Sequence, residues 1–312
     1  MTQLFFSYMG EAAKQVAILY VIVAAGFVAD KTKIFTAEAA KLTNNLMFYL
    51  VTPTVIINSF LSVEATKDNI REFFTALLFE FAVFAVAILI TLPILNSKKD
   101  PDNPVYKFAA IYGNMGYMAL PLARAILGDH GVFLCSAGVV AYNIIAFIHG
   151  SWLMQGGGKS SFRLRSLIIN PGIIAVAIGM PLFLFHVKLP WALSVPIGYI
   201  SALNTPVAML MLGAYISAAG LKGLFSRKKQ YISALFKSLL LPAAMLGVFR
   251  LAGLSGDLLT AVTISASAPS ATNTVLFATR YGRDPGAASK AVAFDCMLSI
   301  FTMPLFIALS RL

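Results

Sequence analysis

The stretch AAIYGNMGYMALPLARAILG, Ala109 to Gly128, is long and apolar enough to pass for a membrane helix, yet Gly113, Asn114, Gly116 and Pro121 stand at its centre. Glycine is a poor helix former, and proline both removes a donor and clashes with the preceding turn. Irregular backbone at bilayer depth is tolerated only where it is buried in protein or lines a cavity. The stretch therefore reads as two half-helices around a deliberate gap.

Its surroundings agree. The chain has 312 residues, 59% of them hydrophobic and 12% charged, with a mean hydropathy of +0.81. A water-soluble domain cannot hide that much apolar surface, so the bilayer is the solvent. At roughly 20 residues per span, periodicity and loop signals place spans at 11–29, 37–60, 72–95, 105–128, 131–153, 168–186, 193–217, 232–252, 258–280 and 286–309. The first apolar run follows no basic segment and precedes no A-x-A-like cleavage site, so it reads as a helix that stays. Cys135 and Cys296 lie in apolar segments, which argues against a disulfide framework.

The net charge of +11 is not a nucleic-acid footprint, because the basic residues fall in short loops. Of the 24 Lys and Arg, 17 lie on one side of the ten spans and 7 on the other. The positive-inside rule makes the first side cytoplasmic. Both termini are then outside, and the loop 154–167, containing GGGKSSFRLR, is internal. The expected location is the plasma (inner) membrane, crossed many times.

An internal repeat is visible. Thr52-Pro53 in the second span recurs as Thr205-Pro206 in the seventh, and ILGDHG ending at Gly131 recurs as TRYGRDPG, with Gly128 against Gly282. Both landmarks share nearly one offset, so 1–153 and 168–312 are expected to be five-helix repeats. Five is odd, so the copies cross the membrane in opposite senses. Inverted repeats with interrupted helices in matching positions point to a secondary transporter and to its site. The ninth span, TISASAPSATNTVLFATR, has Pro269 and Asn273 where the fourth has its break. In the deduced orientation the second half of each broken helix presents its N-terminus to the midplane. Two such ends, each with about half a positive charge and free N–H groups, make an anion site. No Lys or Arg is expected at this centre, which suits a carboxylate better than a multiply charged phosphate.

The stretches YVIVAAGFVADKTKIFTAEAAKLTNNLMFYLVTPTVIINSF, GNMGYMALPLARAILG, LIINPGIIAVAIG and SAPSATNTVLFATRYGRDPGAASKAVAFDCMLSIFTMPL resemble, in order, segments of the auxin efflux carrier family. The resemblance spans the chain. It implies an all-α membrane protein of ten helices in two inverted repeats, related in fold to the bile acid:sodium symporters, with crossed broken helices 4 and 9. Helices 1, 2, 6 and 7 would form a scaffold, and 3–5 and 8–10 an elevator-like transport domain. Members carry organic anions: auxin in plants, and dicarboxylates such as malate or malonate in bacterial branches.

Residue by residue, Asn114 matches the asparagine that contacts the substrate carboxylate in plant members, and Pro121 and Pro269 match landmarks of the two breaks. Gly116 and Tyr117 share the first break. Thr52 replaces a plant valine, Thr272 an isoleucine, and Asn170-Pro171-Gly172 lacks the second asparagine of the plant motif. Apolar walls become hydroxyls, so the resemblance implies a small polar carboxylate in place of an indole. An indole-acid carrier and a non-transporting sensor are the alternatives.

Each candidate also has a structural reading. Asn114 and Asn273 can cap half-helices, and Asn170-Pro171 reads chiefly as a helix start. Thr52-Pro53 is either a healed kink or a pocket wall. Asp295 and Glu80 are intramembrane carboxyls, functional by default: each either couples a proton to transport or hydrogen-bonds a neighbouring helix. If Asp295 is the coupling group, Asp295→Asn should remove any pH dependence. His149 is a further coupling candidate, and Asn143 faces either the site or a neighbour. Arg124 either draws anions to an outer vestibule or snorkels. No metal, cofactor or nucleic-acid partner is expected; coupling to H+ or Na+ and a homodimer are left open. An enzyme is disfavoured, because His130, His149 and His186 are scattered and no H-E-x-x-H occurs. A sodium/proton antiporter is disfavoured as well, because AGVVAYNIIAFIHG carries no acid.

Overall fold

The computed structural model of the chain describes residues 2–95, 100–156, 169–220 and 227–312. Most of the expected internal loop, 157–167, lies outside them, as do Lys98, Lys99, Lys159, Arg163, Arg165 and Lys222. Among the described residues the elements are all helical, and an isolated antiparallel bridge joins Gly113 to Ser270.

Helix α1 (Thr2–Lys31) begins well before the expected residue 11. Its extra turns are tied to the C-terminus, where Arg311 pairs with Glu11 at 2.6 Å and lies over the Tyr8 ring. The two ends of the chain are thus at one end of the molecule. Helix α2 (Ala37–Leu46) starts at the N-cap Thr36 and runs through a wide π turn, Met47–Val51, into α3 (Thr52–Leu61). Helix α4 (Lys67–Ile94) starts at Thr66, whose hydroxyl accepts the Asn69 N–H. Helix α5 (Asn103–Ile111) stops at the Gly-Asn pair. A π turn, Met115–Ala119, then leads into α6 (Leu120–Ile145), which is bent at Gly128. A third π turn joins α6 to α7 (Ser151–Met154).

In the second half come α8 (Pro171–Leu184), α9 (Trp191–Ala202) and α10 (Asn204–Ala219). Helix α11 (Lys228–Leu235) passes through the π turn Phe236–Leu240 into α12 (Leu241–Leu251). Helices α13 (Gly256–Ser267), α14 (Asn273–Arg280) and α15 (Pro285–Ser310) end the chain. Among the described residues six helical stretches are long and apolar enough to cross a membrane: Thr2–Lys31, Lys67–Ile94, Met115–Met154, Trp191–Ala219, Lys228–Leu251 and Pro285–Ser310. The expected fourth and ninth spans, 105–128 and 258–280, are the interrupted ones, α5 with the start of α6 and α13 with α14.

The repeat landmarks have matching backbone. Gly128 has φ +65° and Gly282 φ +66°, a left-handed conformation that glycine adopts without a Cβ clash. Both join a half-helix to the next long helix. Thr52-Pro53 and Thr205-Pro206 each open a helix just after an irregularity, the first π turn and the Leu203 junction.

Helix α1 packs on α10 and α15, α3 on α8, α9 and α6, and α10 on α2 and α15. Helices α4 and α13 pack on α6, α12 on α13, and α14 and α13 on α15. Small residues let membrane helices approach closely, and α1 meets α10 at glycines on both sides. A Cβ on Gly26 would strike the backbone of Leu210, and one on Gly213 the backbone of Val23. Main chain cannot rotate aside, so Gly213→Val is expected to cost at least the upper end of the usual 1–3 kcal/mol for overpacking. A large drop in melting temperature in detergent checks this; an unchanged melting temperature would contradict the close crossing.

Beyond the helices, Asp100 pairs with Lys229 and Asp102 with Arg227, each at 2.8 Å, tying the start of α5 to α11. The hydrogen bond from Lys229 holds the Asp100 carboxyl below its ordinary value. That contribution is therefore present above the unfolded carboxyl pKa and lost as pH falls through the lower folded one.

Candidate functional site: a polar pocket over paired helix breaks

The two breaks meet. The Asn114 N–H donates to Pro269 O at 2.6 Å and the Ala271 N–H to Tyr112 O at 2.8 Å, closing the bridge between Gly113 and Ser270. Each unwound segment thus satisfies backbone groups of the other, which is how irregular backbone survives inside a membrane protein. Above this junction lies a small pocket of about 40 Å³, room for a few water molecules or one very small solute.

Six of the eight residues predicted to bind substrate line it: Thr52, Asn114, Gly116, Tyr117, Thr272 and Asn273. The Asn114 Oδ1 accepts the Tyr117 N–H at 3.2 Å, capping the turn that leads into α6. Its Nδ2 has no hydrogen-bond partner among the described residues. The Met115 N–H donates to Gly113 O at 3.0 Å, so in the two first turns the N–H groups left without a hydrogen bond among the described residues are those of Gly116 and Asn273. The Oγ1 of Thr52 and the Oδ1 of Asn273 are buried without a well-aligned hydrogen bond among the described residues, beside the Tyr117 and Tyr142 hydroxyls. These are unused polar groups converging on one small space. Contacts from α2 and α10 steady the rim: Tyr117 Oη donates to Asn44 Oδ1 at 3.2 Å, and Asn204 Nδ2 donates to Gly116 O at 3.1 Å.

The other two predicted residues stand apart. Pro269 lends its carbonyl to Asn114 and does not line the pocket. Pro121, in the first turn of α6, lines a separate cavity with Arg124, Asn58 and Asn204. Arg124 there pairs with Asp129 at 2.7 Å.

Of the coupling candidates, only Asn143 lines the pocket. It is also a packing residue: its Nδ2 donates to Val139 O and its Oδ1 accepts from Asn170 Nδ2 at 3.1 Å. Asn170 Oδ1 in turn accepts the Gly172 N–H at 2.9 Å as the cap of α8. A Cβ on Gly172 would strike Asn143 Nδ2, so this close approach needs the glycine that replaces the second plant asparagine. His149 is elsewhere, with Nδ1 2.8 Å from Tyr112 Oη. Asp295 lies on the far side of the breaks. Its carboxylate accepts from the Ser238 hydroxyl, from the Ser270 N–H at 2.6 Å and from the Ser270 hydroxyl at 2.7 Å. Glu80 is fully buried beside Ser265 and Gly138, and neither of its oxygens has a hydrogen-bond partner among the described residues.

One expectation is corrected. The centre was expected to hold no Lys or Arg, but Lys237 is fully buried there. Its Nζ donates to Ala266 O at 3.0 Å, at the end of α13, and would lie 3.0 Å from a Cβ on Gly113. It interacts electrostatically with Asp295 and Glu80. The π turn Phe236–Leu240 carries Lys237 and Ser238 together, so one distortion of α11–α12 delivers the ammonium and an Asp295 ligand. The signal was available: Lys237 falls within the apolar run 232–252, but the preceding Arg227-Lys228-Lys229 makes it read as a loop lysine. Phe48, Met115, Val139 and Tyr142 also line the pocket and were not anticipated, because helix rotation cannot be read from uniformly apolar segments.

The comparisons with known proteins fit this architecture. The family model described as "Membrane transport protein" matches residues 12–162 and 159–307. An uncharacterised transporter of Methanocaldococcus jannaschii is 24% identical, the match covering 93% of this chain and 96% of that one. A provisionally named malonate transporter of Rhizobium meliloti is 22% identical over 95% of this chain and 94% of its own length. An uncharacterised transporter of Escherichia coli K12 is 24% identical over 94% and 96%. The chain belongs to the membrane transport protein family, that of the auxin efflux carriers.

Proposed function

We infer that this protein is a secondary or facilitative carrier of a small organic anion, a mono- or dicarboxylate of the size of malate or malonate. The observation that carries the reading is the polar pocket built directly on the paired breaks. Two helix starts and the Asn114 amide supply donors for a carboxylate, and Thr52, Thr272 and Asn273 supply hydroxyl and amide groups for a polar substrate body. Side-chain hydroxyls and amides left unpaired in a dry pocket cost free energy that a hydrogen-bonding substrate recovers and an indole does not. The malonate assignment of the Rhizobium relative points the same way.

In this reading the chain crosses the membrane ten times as two inverted five-helix repeats. The matching Gly128 and Gly282 conformations support the repeat, and the contact between Glu11 and Arg311 supports an even number of crossings. Helices α1–α3 and α8–α10 are the scaffold, and the group holding both breaks is the moving part. It carries the substrate across by elevator-like alternating access. Lys237 behind the breaks adds fixed positive charge to the two helix ends.

Binding tests this without requiring transport. Millimolar malonate or malate is expected to raise the melting temperature of the purified protein, and indole-3-acetate at equal concentration is not. Stabilisation by indole-3-acetate alone would contradict the polar-pocket argument and favour the indole-acid reading.

A further inference from the structure

A second cavity, of about 500 Å³, lies away from the polar pocket. Its lining is mixed. Ile88 and Leu92 of α4 and Trp152 of α7 supply apolar surface, and Leu92 and Trp152 are also exposed on the outer surface of the helix bundle, where lipid would lie. Lys107 of α5 and Arg283 supply cations and His149 an imidazole, its ring 5.6 Å from that of Trp152.

Among the described residues no acid pairs with Lys107 or Arg283. Lys107 has no hydrogen bond or ion pair among the described residues. Arg283 spends its Nε on Met154 O at 2.8 Å and one terminal nitrogen on Pro101 O at 3.1 Å; neither neutralises its charge. Asp100, the acid of the lining, is engaged by Lys229 at 2.8 Å. His149 is oriented by the contact of its Nδ1 with Tyr112 Oη, and its Nε2 makes no hydrogen bond among the described residues. Apolar surface open to lipid beside unpaired cations fits a molecule with an acyl chain and an anionic head. Basic pockets between membrane helices on the cytoplasmic side bind anionic headgroups, and positive-inside counting puts this end in the cytoplasm.

We propose that this cavity is a binding site for an anionic phospholipid, with its phosphate at Lys107 and Arg283 and its chains along Ile88, Leu92 and Trp152. The site is joined to the transport pocket: His149 holds Tyr112, whose carbonyl accepts the Ala271 N–H at the paired breaks.

The test is lipid binding to the detergent-purified full chain by native mass spectrometry, with dioleoyl-phosphatidylglycerol, dioleoyl-phosphatidylcholine and soluble glycerol phosphate as probes. Phosphatidylglycerol is expected to bind at least fivefold more tightly than phosphatidylcholine. Lys107→Gln should erase that preference and Lys107→Arg keep it. Trp152→Ala should weaken phosphatidylglycerol binding too, which keeps the test open if Lys107→Gln does not fold. Equal binding of the two lipids, or an undiminished preference in Lys107→Gln, overturns the site. Glycerol phosphate binding as tightly as phosphatidylglycerol overturns the lipid as its source and leaves a soluble phosphate. None of these readouts needs carboxylate transport, and Asn114→Asp is expected to bind lipid as the wild type does. The lipid site and the carrier reading thus fail separately.

Discussion

Asn114→Asp is expected to abolish carboxylate transport, by at least a hundredfold, while leaving the protein as stable as the wild type. The substitution separates the two jobs of this residue. Oδ1 caps the turn into α6 by accepting the Tyr117 N–H, and aspartate caps as well as asparagine. Nδ2, which has no partner among the described residues, is replaced by an anionic oxygen facing a pocket whose other groups suit an anion. A hundredfold loss corresponds to about 2.7 kcal/mol, a modest figure for one charge repulsion added to one lost donor in a poorly hydrated site. Asn114→Ala loses the donor and the cap together, so it should lose transport with about 1 kcal/mol of stability, too little to unfold the protein. Proteoliposome exchange rates and melting temperatures check both variants. Transport by Asn114→Asp at the wild-type rate would remove Asn114 from the site.

Asp295→Asn is expected to lose transport at every pH and to melt at a markedly lower temperature. The carboxylate accepts from three donors that fix Ser270 at the second break. An amide oxygen can keep both Ser270 donors while its NH2 donates to the Ser238 hydroxyl, so the loss falls on the strength of charge-assisted bonds. The change also removes the negative charge nearest in effect to buried Lys237, and uncompensated buried charge costs about 3–5 kcal/mol. Ser238→Ala removes one donor only and should cost about 1–2 kcal/mol with transport kept. Melting curves and exchange assays between pH 5.5 and 8 distinguish these roles. A wild-type melting temperature for Asp295→Asn, with transport kept but insensitive to pH, would make Asp295 a coupling group and not an anchor.

The breaks were legible because Gly113, Asn114, Gly116, Pro121 and Pro269 oppose helix in segments otherwise made for it. Their pairing was not, because two breaks in a sequence do not say which main-chain groups they satisfy. The pocket was legible through its polar residues, since Thr52, Asn114, Thr272 and Asn273 are conspicuous in apolar spans. The aromatic walls Phe48 and Tyr142 were not, in segments where nearly every position is apolar. The π turns left no period to detect, and one of them hid Lys237: it aims a lysine near the end of a basic run into the protein centre. Expected boundaries failed most at α1, where a contact between the two chain ends, Arg311 on Glu11 and Tyr8, extends the helix.

Counterflow in proteoliposomes tests the central claim most directly. Vesicles are loaded with unlabelled malonate, malate, succinate, lactate or indole-3-acetate, and entry of the labelled counterpart is followed at symmetric pH without sodium. The polar pocket over the paired breaks predicts counterflow of a small carboxylate and none of indole-3-acetate. Counterflow of indole-3-acetate alone, or no counterflow of any of them with or without sodium, would contradict it.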